Sequence, residues 1–225
     1  MIYDKIDFIK NHCELTVNCD GLLCVVKLIP VNSVTIRQYD PVEKMTNWRN
    51  KYCQWFLTQF NATSERTQKW LDRVVIPQSD RILFLITVDG DVVGHIGLCH
   101  ITEKTIELDN AINTSPVKSL FPNVEWTLLN FIFTVLEMDV AVARYFSHNR
   151  VQILHRWFGF EPQTKSFLNK KEFPDSNTVF EECPEQQSNV SFQYVTAKLT
   201  CESFVNNKEA YSVSGSDKLH CNCFD

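Results

Sequence analysis

The chain has 225 residues, 44% of them hydrophobic and 22% charged, with a formal net charge of −5. This fits one large domain, or one domain with extensions, in a soluble globular protein with ample core material. It excludes two classes: the basic residues are scattered where nucleic acid would need a cluster, and no apolar run reaches the ~20 residues of a membrane helix.

Met1 to Lys10 carries Asp4, Lys5 and Asp7 where a secretion signal would be apolar, so the expected location is cytoplasmic. The nine cysteines then read as reduced thiols, mostly packing residues. Cys221-Asn-Cys223 offers two ligands where structural zinc takes four, and no metal is expected.

Residues 1–20 are polar and of mixed charge, without a clear element. Gly21 to Pro30 reads as a strand and Ser33 to Arg37 as another. Met45 to Phe60, rich in aromatic residues, suggests a short helix and a loop. Thr63 or Ser64 then caps a helix with Glu65 in its first turn and an apolar face of Trp70, Leu71 and Val74. Arg81 to Val88 and Val92 to Ile101 are strands joined at Asp89-Gly90-Asp91, a hairpin signal, and Thr105 to Ile112 extends them into a meander. Val124 to Met138 has helical spacing at Leu128, Leu129, Ile132, Val135 and Leu136. A buried strand, Val140 to Phe146, leads into a short helix that closes at Gly159 and a strand starting at Phe160. Glu161 to Ser191, polar and with three prolines, reads as a long functional loop. Val190 to Leu199 is the last strand, and Asn206 to Asp225 a polar tail or linker.

A three-strand meander followed by loop, helix, strand, helix and strand resembles the GCN5-related N-acetyltransferase (GNAT) fold. The stretch "HNRVQILHRWFGF" resembles the family segment in which an Asn opens a helix that ends in Tyr-x-x-x-Gly-Phe, and "DGDVVGHIGL" resembles its central hairpin. "NWRN", "TSERTQKWL" and "ELDNAI" resemble the branch that acetylates nucleotide-linked amino sugars for surface glycans. The resemblance implies an α/β (α+β) chain whose central, mixed, mostly antiparallel sheet is flanked by helices and splayed between the fourth and fifth core strands. It implies three parts: residues 1–32 as an N-terminal extension with an extra strand, 33–204 as the acetyltransferase domain, and 205–225 as tail. It implies acetyl-CoA as co-substrate, a nucleotide-linked amino sugar such as a 4-amino-4,6-dideoxyhexose as acceptor, and it admits a homodimer. Two rivals stay open: acetylation of protein or peptide N-termini, and a catalytically idle binding domain.

The family's glycine-rich pyrophosphate loop is replaced here by "SPVKSLFPNVEW", which has no glycine, and Pro122 has no N–H. Backbone amides of Val117, Lys118, Ser119, Leu120 and Phe121, with the Lys118 charge, would serve in its place. Ile112 is a further expected coenzyme contact, and Asn149 would bond the pantetheine arm, although Asn149 would be chosen equally well as a helix cap. Acetyl transfer needs a neutral amine, a donor to the carbonyl oxygen and a proton for the departing thiolate. His155 stands where the family has its tyrosine and is the expected proton donor. Strand alternation places Glu107 and Asp109 on one face, where they could hold or deprotonate an ammonium; His95 and His100, on the neighbouring strand, face opposite sides. Trp48, Arg49 and Asn50, with Asn110 and His100, are the expected acceptor contacts, Arg49 because a guanidinium forks onto phosphate.

Overall fold

In the computed structural model, which describes residues 2–19, 23–117, 119–175 and 177–211, ten strands form one sheet. The chain enters through α1 (Ile2–His12), β1 (Leu15–Val17) and β2 (Val26–Pro30), then α2 (Thr35–Tyr39), α3 (Val42–Lys51), β3 (Thr58–Gln59) and α4 (Ser64–Trp70). The α4 helix runs on into a π-helical turn, Leu71–Val75. The meander follows as β4 (Ile82–Val88), β5 (Asp91–Cys99) and β6 (Thr105–Asn113), then α5 (Leu120–Thr134), β7 (Val140–Phe146), α6 (Val151–Trp157), β8 (Glu161–Glu172), β9 (Thr178–Cys183), β10 (Tyr194–Thr200) and α7 (Cys201–Tyr211). Strand order across the sheet is β1-β2-β4-β5-β6-β7-β10-β8-β9-β3. Among the described residues no helix is long and apolar enough to cross a membrane.

The β4–β5 hairpin turns at Asp89 (φ 50°) and Gly90 (φ 90°), the two positive values that a two-residue turn matching the strand twist demands. One face of the sheet packs on α1 and α5 through Ile6, Ile9, Leu128, Phe131 and Ile132. The other packs on α3 and the π-helical turn through Met45, Leu71 and Val75.

The feature that makes a site is the join of β6 and β7. All the other pairings are antiparallel; this one is parallel and holds only from Thr105–Leu108 against Val140–Ala143. Beyond Leu108 and Ala143 the two strands part. β6 also carries a bulge: the pairing jumps from His95–Ile112 to Gly97–Asp109, leaving one extra residue on β6, and Asn110 sits in the left-handed region at φ 47°. β5 accommodates the bulge with Gly94, where a Cβ would come 2.3 Å from the carbonyl oxygen of Ile112.

Several sequence expectations need correction. Residues 33–37 are not a strand. The Asn32 side chain accepts from the amides of Val34 (2.8 Å) and Thr35 (2.9 Å), which starts α2 despite the β-branched residues. Residues 1–20 hold α1 and β1, because Ile2, Ile6 and Ile9 make a buried stripe. α5 begins four residues early, since Pro122 falls in the first turn, where a helix loses nothing by lacking an N–H. The stretch 161–191 is mostly the β8–β9 hairpin, polar because little more than Leu168 and Phe180 is buried. α7 occupies residues 201–211, docking Phe204 at 5.0 Å from both Trp126 and Phe133, where a tail from 205 had been expected. Cys13 is disulfide-bonded, against the expectation of reduced thiols throughout. Cys221 and Cys223 lie outside the described residues.

Candidate functional site

Where β6 and β7 part, a cavity of about 760 Å³ passes between them and joins the α5–α6 side of the sheet to the α3–α4 side. Its lining includes His95, Glu107, Asp109, Asn110, Ile112, Phe121, Asn149, His155 and Arg49 from the sequence-predicted set. The others stand apart. Trp48, half-buried, packs against the core with its ring 6.0 Å from His95, and Asn50 ties down Ala62 through two hydrogen bonds. His100 is exposed but bonds Glu107, while Leu120 is buried in the core. Val117, packed against the core, turns its amide to Ser115 Oγ at 3.2 Å. Ser119 flanks the start of α5 without a side-chain cap, and Lys118 lies outside the described residues.

On the α5–α6 side, His155 is 8% exposed and its Nδ1 lies 2.6 Å from Oε1 of Glu125, which is 1% exposed. The Tyr145 ring stands 5.5 Å from the imidazole. Among the described residues neither the second Glu125 oxygen nor the buried Tyr145 hydroxyl has a hydrogen-bond partner, and both residues line the cavity. Burial pushes the Tyr145 phenol up from its ordinary value. Asn149 stands one residue before Arg150, the N-cap of α6, and its Oδ1 accepts from Val151 N at 3.0 Å, which leaves its amide NH₂ available to the cavity it lines.

Along β6 the carboxylates are already engaged. Asp109 accepts from Arg81 (2.7 Å) and Asn110 (2.6 Å) through one oxygen. Glu107 faces His100 Nδ1 at 3.0 Å and Arg144 at 3.4 Å. Cys99 Sγ, His100 Nδ1 and a Glu107 oxygen lie within 4.8 Å of one another. This set does not suit a metal: Arg144 shares the carboxylate, and burial, then Asp109 and Glu107, hold the thiol protonated. Beside them His95, 4% exposed, has an unpartnered Nδ1, and burial drives its pKa down to about 4, so the imidazole is neutral at neutral pH.

On the α3–α4 side two arginines occupy an aromatic sleeve. The Arg49 guanidinium carbon is 3.5 Å from the Phe56 ring centroid and 5.0 Å from Phe60; Arg66 covers the other approach to Phe60 at 3.5 Å. Arg49 donates to the Thr58 carbonyl at 2.7 Å. Among the described residues neither guanidinium has a carboxylate partner, and burial lowers the pKa of Arg49 to about 10. Trp55 and Tyr194 complete this wall.

Sequence reasoning missed Glu125, Tyr145 and Arg66. Glu125 carried a signal: it is the one charged residue between Pro122 and Thr134, in a helix buried on nearly every side.

The sequence matches no protein-family model and no curated protein. The backbone does match solved structures. A GCN5-related N-acetyltransferase from Brucella melitensis aligns with a TM-score of 0.61 and 16% identity, over 91% of this chain and 91% of that one. A GNAT-family chain from Chromobacterium violaceum aligns at 0.62 and 14%, over 84% and 88%. The spermidine/spermine N-acetyltransferase SpeG from Vibrio cholerae, in mutant forms, aligns at 0.56 and 11%, over 81% and 98%. The fold is that of the GCN5-related N-acetyltransferases. At these identities the likeness is one of architecture, and the chemistry has to be argued from the cavity.

Proposed function

We propose that the chain is an acetyl-CoA-dependent N-acetyltransferase acting on the amine of a nucleotide-linked amino sugar, a 4-amino-4,6-dideoxyhexose being the kind its motifs resemble. The observation that carries the acceptor class is the Arg49–Arg66 pair: two cations beside the cavity without carboxylate partners among the described residues, while Glu107 and Asp109 are paired with cations of their own. Such a wall favours an anionic acceptor and disfavours a polyamine or a basic peptide end.

In this reading the coenzyme arm enters from the α5–α6 side, its pyrophosphate near the first turn of α5, and the acceptor enters from the arginine side. The amine attacks the thioester carbonyl carbon, the C–S bond breaks, and the thiolate takes a proton from His155. Neutral His95 offers a lone pair to orient the amine. The ammonium proton leaves by way of Glu107 and exposed His100, which are already in contact.

A thiol-release assay with acetyl-CoA tests this against three acceptor panels: nucleotide-linked amino sugars, peptide N-termini and polyamines. Turnover is expected in the first panel. Turnover confined to another panel overturns the acceptor class. No acetyl-CoA binding by calorimetry at millimolar coenzyme overturns the enzyme reading and leaves a binding domain.

A further inference from the structure

Glu125 is an expensive residue to bury. It is 1% exposed, one oxygen has no partner, and the imidazole beside it is the only titratable group it bonds among the described residues. A carboxylate so placed destabilises the fold unless its partner is cationic or the cavity supplies a further donor. The two residues come from different helices, thirty positions apart, and both line the cavity between β6 and β7. The titratable and charged groups around the imidazole are few: Glu125 from α5, Tyr145 from β7, and Arg156 on its own helix, whose charge is felt at Tyr145. Phe160 closes the remaining side at 5.1 Å between rings.

We infer that Glu125 is a positioning residue for His155: its carboxylate accepts from Nδ1–H, fixes the ring so that Nε2 faces the cavity, and stabilises the imidazolium that donates the proton. The inference rests on the acyl-transfer reading for its catalytic consequence, but not for its structural content. A carboxylate on one ring nitrogen sets the tautomer and leaves the other nitrogen to exchange protons. The pair is net neutral when His155 is protonated, so the imidazolium adds no net charge to the buried site. Proton transfer uses no external oxidant or reductant. His155 Nε2–H becomes the S–H of the released thiol, and the ring is reprotonated between turnovers.

Glu125→Gln is the direct test, since it keeps the shape and a hydrogen bond while removing the charge. In ¹⁵N NMR of the whole chain, with His155 assigned by its loss in His155→Gln, the imidazole midpoint should fall by about one pH unit or more. Turnover should fall roughly 10-fold at alkaline pH and much less at acid pH, with both KM values little changed, because the effect lies in the fraction of His155 that is protonated. Glu125→Asp, which keeps the charge, should retain the alkaline limb. A midpoint unmoved in Glu125→Gln, or a loss confined to KM, overturns the inference. Should Glu125→Gln fail to fold, the wild-type chain still decides: a downfield Nδ1–H resonance absent from His155→Gln supports the inference, and a bare Nδ1 overturns it. A shifted midpoint in a chain that acetylates nothing leaves the positioning role standing and removes the acetyltransferase reading.

Discussion

The two walls of the cavity handle polar groups in opposite ways. The α5–α6 wall buries an acid, an imidazole and a phenol and leaves two of their oxygens without partners. The α3–α4 wall instead holds two guanidiniums against aromatic faces, Arg49 half-buried and Arg66 exposed. A carboxyl, an imidazole and a phenol form the first wall, and two guanidiniums the second. A mutation on the first wall should therefore act on the chemical step, and one on the second on acceptor binding.

Four measurements would break or sharpen that contrast. The largest effect is expected at His155: His155→Ala should lower kcat roughly 10²-fold while leaving coenzyme affinity nearly unchanged, since the proton is given only as the C–S bond breaks. His155→Tyr should recover part of the rate. Near-normal turnover in the alanine variant would erase the distinction between the walls.

The next largest is a pH effect on stability at His95. Its folded pKa of about 4 lies below the ordinary 6.5, so between those values the unfolded chain binds a proton that the folded chain refuses. Stability must then fall as the pH drops through that window, by about 2 kcal/mol from this residue alone. Urea unfolding at pH 7.5 and pH 4.5 should show the smaller loss in His95→Gln; identical losses would mean the imidazole is not dry.

Arg49→Ala should raise the acceptor KM roughly 10-fold at saturating coenzyme with kcat largely kept, the usual scale for a charged hydrogen bond lost. Exposed Arg66 comes last. Its removal should cost roughly 3-fold in acceptor KM, and the penalty should shrink in high salt as screening sets in. A kcat effect at either arginine would place them with the chemistry instead.

Much of this was legible in the sequence, and the failures have physical causes. The β4–β5–β6 meander could be read because Asp-Gly turns and alternating runs are local signals. The parting of β6 from β7 was expected only through the family resemblance. The β8–β9 hairpin was missed because an edge ribbon buries too few side chains to mark its period. At the site, His155 was singled out through the family motif and Glu107, Asp109 and His95 by residue type and strand position; all four line the cavity, but their partners were not foreseen. Arg81 and Glu125 reach them from 28 and 30 positions away, and no pattern along the chain reports a contact of that kind. The Tyr145 phenol looked like one more residue of an apolar strand.

Lys10, near the end of α1, is 4% exposed and spends its ammonium on three carbonyls, those of Val75, Ile76 and Gln78, at 2.6 to 2.9 Å. Those carbonyls close the π-helical turn into which α4 runs, and α4 carries Arg66. A chain trimmed to begin at residue 33, where the family resemblance starts the acetyltransferase domain, would lose this guy-rope and with it β1 and β2 from the sheet. The first thirty residues are thus the footing of α4, and any truncation or fusion intended to spare the cavity has to spare them too.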